Sequence, residues 1–202
     1  TDIIHSMKNG VIHMHEGAQG FSLDINHGHS YPTCTSRGTT TMQMMADMGI
    51  PPQMIGDVVM VIRPYPIRVG NVYEAGTKTD EGGSYVAQIE KGNSGGWYPD
   101  QMETSWEAIG VEPEITTVTG RQRRVATFST IELKTAAAIN GATQIALNFA
   151  NYLDPGLKNT NRVEDLMKSG EVCKFIRMVE EVTDVPVKYV GTGPRINHVI
   201  RL

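Results

Sequence analysis

The stretch IELKTAAAINGATQIALNF, residues 131–149, contains two elements of different period. Its first ten residues read as an alanine-rich helix that stops near Asn140-Gly141, and residues 144–149 read as a strand that follows it. The same alternation recurs on both sides. Upstream, residues 39–48 (TTTMQMMADM) have helical spacing, with threonines available to cap the start and Gly49-Ile50-Pro51-Pro52 to stop the end, and a strand follows over Val58 to Arg63. Downstream, Glu164 to Glu180 is an amphipathic helical region interrupted near Gly170, followed by the strand Val185 to Val190. Helix and strand in turn predict an α/β fold with a mainly parallel central sheet flanked by helices. Ligands of such folds bind beyond the carboxyl ends of the strands.

Near the start, Val11-Ile12-His13-Met14 reads as a short buried strand running into Glu16-Gly17-Ala18-Gln19-Gly20, a turn whose glycines let the backbone approach a ligand. The 202 residues suit one α/β domain, 1–202, able to bury most of its apolar surface. Between Asn71 and Gly96 the composition shifts to glycine, lysine and acids, which predicts a surface excursion of hairpin type. Two cysteines, Cys34 and Cys173, and no signal-like apolar start point to a reducing, cytoplasmic setting. The longest apolar run, residues 58–62, is too short to span a bilayer, so no membrane partner is expected. The net charge of −4 argues against general nucleic-acid affinity.

Several residue types point to small ligands. Gln19 offers both a donor and an acceptor at a glycine turn, which suits a nucleobase or ribose edge. Residues 116–124 (TTVTGRQRR) present hydroxyls, a glycine and forked guanidiniums together. Arginine grips a carboxylate with two parallel hydrogen bonds and threonine completes the cage, so a dicarboxylic acid fits this loop. His13, His15, His27 and His29 lack the cysteine or carboxylate complement of a closed metal site. Met42, Met44, Met45 and Met48 read as core filler, and Trp97 and Trp106 as packing anchors.

Three sequences in one order, EGAQG (16–20), TGRQRR (119–124) and GTGP (191–194), resemble the adenylosuccinate synthetases. That family activates the 6-oxygen of a purine nucleotide with a nucleoside triphosphate and replaces it with the amine of aspartate. The resemblance implies a P-loop-NTPase-like synthetase fold. It also implies that Gln19, Thr35 and Arg121 contact the substrate nucleotide, and that Thr117, Val118, Thr119, Gly120, Arg121, Gln122 and Arg123 form the L-aspartate loop. Arg123 also lies near the triphosphate. Val118 stands where the family carries a threonine, which removes one donor.

Residues 147–154 (LNFANYLD) fall where ordinary members carry a sequence of the form LTKLDVLD, whose aspartate reads guanine and whose lysine stem lies on the base. Here those positions are Asn151 and Phe149. A carboxylate accepts the N1 and N2 protons of guanine, whereas an amide matches the donor and acceptor of adenine, so the site should prefer ATP or dATP. The resemblance implies that Phe149, Asn151, Gly191, Thr192 and Gly193 contact the adenine, with Arg123 beside them. This replacement, with residues 95–101 and 116–119, resembles the bacteriophage 2-aminoadenylosuccinate synthetase branch, which uses dGMP in place of IMP.

The family's phosphate loop, magnesium ligands and acid–base residues have no counterpart in the sequence, which contains no GxxxxGK-like run. The chain is thus expected to be the carboxyl-terminal part of a longer synthetase. Mg²⁺, a homodimer and a host-cytoplasm location are implied by the resemblance alone. Three functions remain open at this level: a dGMP–aspartate ligase driven by ATP or dATP, an ordinary adenylosuccinate synthetase using IMP and GTP, and a non-catalytic nucleotide-binding fragment.

Overall fold

Ser129 and Gly141 bracket the alanine-rich helix. The Ser129 hydroxyl accepts the Glu132 backbone N–H at 2.9 Å, and Gly141 closes the end in the left-handed region at φ 62°. The computed structural model describes the backbone of residues 2–80 and 83–202 and the side chains of residues 2–75 and 90–202. In chain order the elements are α1 (Asp2–Lys8), α2 (Thr41–Met48), β1 (Val59–Ile62), β2 (Ile67–Arg68), β3 (Val72–Asp80), β4 (Gly83–Gly92) and β5 (Glu103–Thr104). There follow β6 (Arg124–Ala126), α3 (Thr130–Asn140), β7 (Gln144–Leu147), α4 (Val163–Lys168), α5 (Gly170–Thr183), β8 (Val187–Gly191) and β9 (Val199–Arg201).

The principal sheet has the order β1-β7-β8-β9. Its first three strands are parallel and β9 is antiparallel to β8. The middle strands are mostly apolar, with Ile145 and Leu147 of β7 and Val187 and Val190 of β8 buried, whereas the edge strand β1 alternates between partly buried and exposed residues. Val172, Ile176 and Val179 of α5 recur at helical spacing and meet Leu133 of α3, Ile145 and Leu147 of β7, and Val187 and Val190 of β8 in one core. The expected break near Gly170 is real: Ser169 ends α4 and caps α5, accepting the Val172 N–H.

A second, antiparallel sheet has the order β2-β6-β5, and β3 with β4 forms a hairpin inside the expected excursion. Its two arms are Val72–Asp80 and Gly83–Gly92. Arg124 of β6 anchors the hairpin's base. Its guanidinium donates to Ser94 Oγ at 3.0 Å and to the Gly95 carbonyl at 2.8 Å, pairs with Glu103 and lies 5.2 Å from the Trp97 ring centroid.

Two expectations fail. Met42, expected in the core, is 48% exposed, and Met45 is the buried methionine of α2. Residues 11–14 are not a buried strand but irregular backbone, with Ile12 94% and Met14 96% exposed. Their backbone joins no ladder among the described residues, and an apolar run without a partner strand cannot be a strand. Among the described residues no helix is long and apolar enough to cross a membrane.

Candidate functional site

The strand order brings the ends of β1, β7 and β8 side by side, so the residues that follow them share one edge of the sheet. After β7 the Asn148 N–H donates to the Ile62 carbonyl at 2.9 Å. Phe149 then turns through the left-handed region at φ 61° into a short 3₁₀ turn, Ala150–Tyr152. Buried Ala150 anchors that turn, leaving Phe149 37% exposed and Asn151 partly exposed. The Asn151 carboxamide makes no hydrogen bond among the described residues, so its donor and acceptor are both available.

After β8 the backbone is crowded where the sequence is glycine-rich. A Cβ at Gly191 would collide with the Asn148 side chain, and one at Gly193 with the side chains of Asn159 and His198. Thr192 is fully buried, its hydroxyl donates to the Thr160 carbonyl at 2.5 Å, and its N–H donates to the His198 carbonyl at 2.9 Å. Thr192 therefore shapes the loop from within; Gly191 is buried as well, and Gly193 is partly exposed.

Residues 114–123 form a tight loop closed by backbone bonds. Arg123 N–H donates to the Glu114 carbonyl at 2.8 Å and Thr116 N–H to the Arg121 carbonyl at 2.9 Å. Buried Thr116 organises it: its hydroxyl accepts the Arg121 N–H at 2.9 Å and lies 2.6 Å from the Thr119 hydroxyl. Gly120 supplies the left-handed residue at φ 63°. Thr117, Val118, Thr119, Gly120 and Gln122 are exposed, and Val118 reaches 95%. Arg121 donates to the Gly70 carbonyl at 3.2 Å, and together with Arg123 it lines a cleft of about 500 Å³ that also borders Tyr73, Glu103 and Trp106. Arg124, although in the same basic run, is tied to Glu103, whereas Arg121 and Arg123 have no carboxylate partner among the described residues.

Arg63, Glu114 and Tyr152 were not singled out in the sequence, yet they connect these parts. Arg63 follows β1 and forms an ion pair with Glu114, which also accepts a hydrogen bond from the Tyr152 hydroxyl at 3.1 Å. Burial first, then the charge and hydrogen bond of Glu114, raise the Tyr152 phenol above its ordinary range, so it stays a neutral donor. The available signal was a charged residue ending an apolar strand in an α/β pattern.

The family model described as adenylosuccinate synthetase matches residues 2–158. The chain belongs to the adenylosuccinate synthetase family. The N6-succino-2-amino-2′-deoxyadenylate synthase of Vibrio phage phiVC8 is 41% identical over 184 residues, covering 91% of this chain and 45% of its own length. The adenylosuccinate synthetase of Archaeoglobus fulgidus is 31% identical over 202 residues, covering 100% of this chain and 52% of the relative. The solved succinoaminodeoxyadenylate synthetase of cyanophage S-2L, bound to dGMP and dATP as an energy donor, superposes with a TM-score of 0.70. It is 37% identical, covering 92% of this chain and 45% of that one. The chain thus spans about half the length of the relatives it matches.

Two synthetase-family positions sit apart from the edge just described. Gln19 is exposed and left-handed at φ 71°, and Thr35 donates its N–H to the Leu23 carbonyl at 2.8 Å. Both belong to a segment organised by buried Asp24, whose carboxylate accepts N–H bonds from Asn26 at 2.8 Å, His27 at 2.9 Å and Thr39. Burial raises the Asp24 carboxyl, but the three N–H donors outweigh it and hold it below its usual value. No hydrogen bond or ion pair among the described residues joins Gln19 or Thr35 to Arg121 or Asn151. Among the described residues no three His, Cys, Asp or Glu side chains converge as a ligand set for the family's Mg²⁺.

Proposed function

We propose that this chain is part of a ligase that joins L-aspartate to C6 of dGMP at the expense of ATP or dATP. The carrying observation is the turn after β7, where a partly exposed aromatic ring, Phe149, and an amide without a partner among the described residues, Asn151, follow Asn148, whose side chain fills the space beside Gly191 at the end of β8. The 41% identity to the phage relative and the likeness to the dGMP- and dATP-bound cyanophage enzyme support the same reading. On that view the sheet is part of a P-loop-NTPase-like synthetase fold.

Chemically, the γ-phosphoryl group moves to O6 of the guanine base as N1 loses its proton and the nucleoside diphosphate departs, turning a poor leaving group into phosphate. The aspartate amine then attacks C6, phosphate departs with the C6–O bond, and the amine loses a proton. The product is 2-amino-2′-deoxy-N6-succinyladenylate. Gln19, Thr35 and Arg121 hold the nucleotide, and residues 117–123 hold aspartate through Arg121 and Arg123. Phe149, Asn151 and the backbone of Gly191 to Gly193 receive the adenine, with Arg123 near its phosphates. Uniting three reactants in one geometry supplies much of the rate, because it removes their translational freedom beforehand.

The deciding experiment incubates the full-length protein with aspartate, Mg²⁺ and each pairing of dGMP or IMP with dATP or GTP, and identifies the succinylated product by mass. Product from dGMP and dATP is expected. Product from IMP and GTP alone would assign the ordinary reaction, and nucleotide binding without product would assign a non-catalytic module.

A further inference from the structure

Arg63 makes contacts in two directions at once. Its guanidinium lies 4.3 Å from the Phe149 ring centroid and 5.8 Å from that of Tyr152. It also pairs with Glu114 through both terminal nitrogens, one of them at 3.3 Å, while the Tyr152 hydroxyl donates to the same carboxylate. Its Nε is buried and has no partner among the described residues, so the fork is held by these contacts alone. The Glu114 carbonyl in turn accepts the Arg123 N–H at the base of the 116–121 loop.

We propose that Arg63 is a positioning residue that fixes the aromatic platform for the energy donor's base to the stem of the loop for the amino acid. The inference rests on the ligand assignments made under Proposed function. Phe149 is a non-glycine residue in left-handed backbone, a conformation that persists only when its surroundings hold it. Arg63 covers one side of its ring and leaves the rest of the exposed surface to a base. The same guanidinium fixes Glu114, whose backbone sets where Arg123 begins. A planar fork serves both purposes because it stacks flat and bonds edgewise, whereas a lysine ammonium does only the second, as a point charge.

The test measures binding of dATP, aspartate and dGMP separately to the full-length protein by calorimetry. In Arg63→Met, the dissociation constants of dATP and of aspartate should each rise about fivefold, the scale of a cation–π contact or a partly buried ion pair, with that of dGMP unchanged. Arg63→Lys should restore aspartate binding but leave dATP weakened. A structural role alone would weaken all three ligands together, and that result overturns the proposal, as does a change in only one ligand in Arg63→Met. Should Arg63→Met fail to fold, unchanged dATP affinity in Arg63→Lys overturns it by itself. Unmodified protein that forms product while Arg63→Met binds normally removes this inference and spares the assigned function; unmodified protein that binds no dATP removes both.

Discussion

Arg121 and Arg124 are identical side chains three positions apart with separate duties. Arg124 spends its fork on Glu103, Ser94 and Gly95 at the hairpin base, while Arg121 makes one bond to the Gly70 carbonyl and one to the Thr119 hydroxyl and faces the cleft. Arg121→Lys should therefore raise the KM for aspartate about tenfold, as the loss of a charge-assisted bond worth roughly 1.5–3 kcal/mol requires, with little change in melting temperature. Arg124→Lys should lower the melting temperature first. Steady-state kinetics and thermal denaturation of both variants separate the two roles. Asn151→Asp should move triphosphate preference from dATP toward GTP by roughly ten- to a hundredfold, since a mismatched polar group costs about 1–3 kcal/mol; equal use of both by the unmodified protein would sink the base assignment. The part of the proposed site that the sequence could suggest lies in continuous runs, residues 117–123, 149–151 and 191–193. Arg63, Glu114 and Tyr152 come from three separate segments, and no spacing along the chain signals that they meet.

At the scale of elements, local chemistry wrote most of the boundaries. Thr40 caps α2 by accepting the Gln43 N–H, Gly49 ends it in left-handed backbone, and the interruption at Gly170 separates α4 from α5. The start of α3 has a doubled acceptor set that the sequence did not announce. Beyond the Ser129 hydroxyl, the Asp100 carboxylate accepts the Ser129 hydroxyl at 2.6 Å and the N–H groups of Thr130 at 2.8 Å and Ile131 at 3.1 Å. Asp100 is about thirty residues away, so only tertiary structure reveals it. Ser129→Ala should cost about 1 kcal/mol as a lost cap, and Asp100→Ala more, because it leaves the Thr130 and Ile131 donors without that partner and removes favourable negative charge at a helix start. Urea denaturation of the two variants checks the order. The misjudged run at 11–14 has the complementary cause: a strand is defined by its neighbour, and nothing local supplies one.

Across the whole molecule, carboxylates pull stability in opposite directions with pH. Asp24 and Asp100 are raised by burial, but hydrogen bonds from backbone and hydroxyl groups outweigh it and hold both below their usual values. Their stabilisation is present above the unfolded value of about 3.9 and is lost as pH falls through their lower folded values. Glu132 is the reverse: burial raises it, against the hydrogen bond from Ser22 and the charge of Arg68, so its contribution is present only in acid and is lost as pH rises through its folded value. Thermal denaturation should then show loss of stability below pH of about 4. At neutral pH, Glu132→Gln should hold or raise the melting temperature while Asp24→Asn lowers it; an equal drop in both variants would contradict these assignments.

The principal sheet also carries a colloidal consequence. Met60 and Ile62 of β1 turn into the core, but Val59 and Val61 look outward, Val61 at 62% exposure, on a strand flanked by β7 on one side and by no strand on the other among the described residues. Bare valines beside an open row of backbone donors and acceptors are a template for adding another strand. A polypeptide confined to these 202 residues should self-associate with rising concentration, and Val61→Lys, a gatekeeper charge on that strand, should keep its sedimentation coefficient constant over the same range.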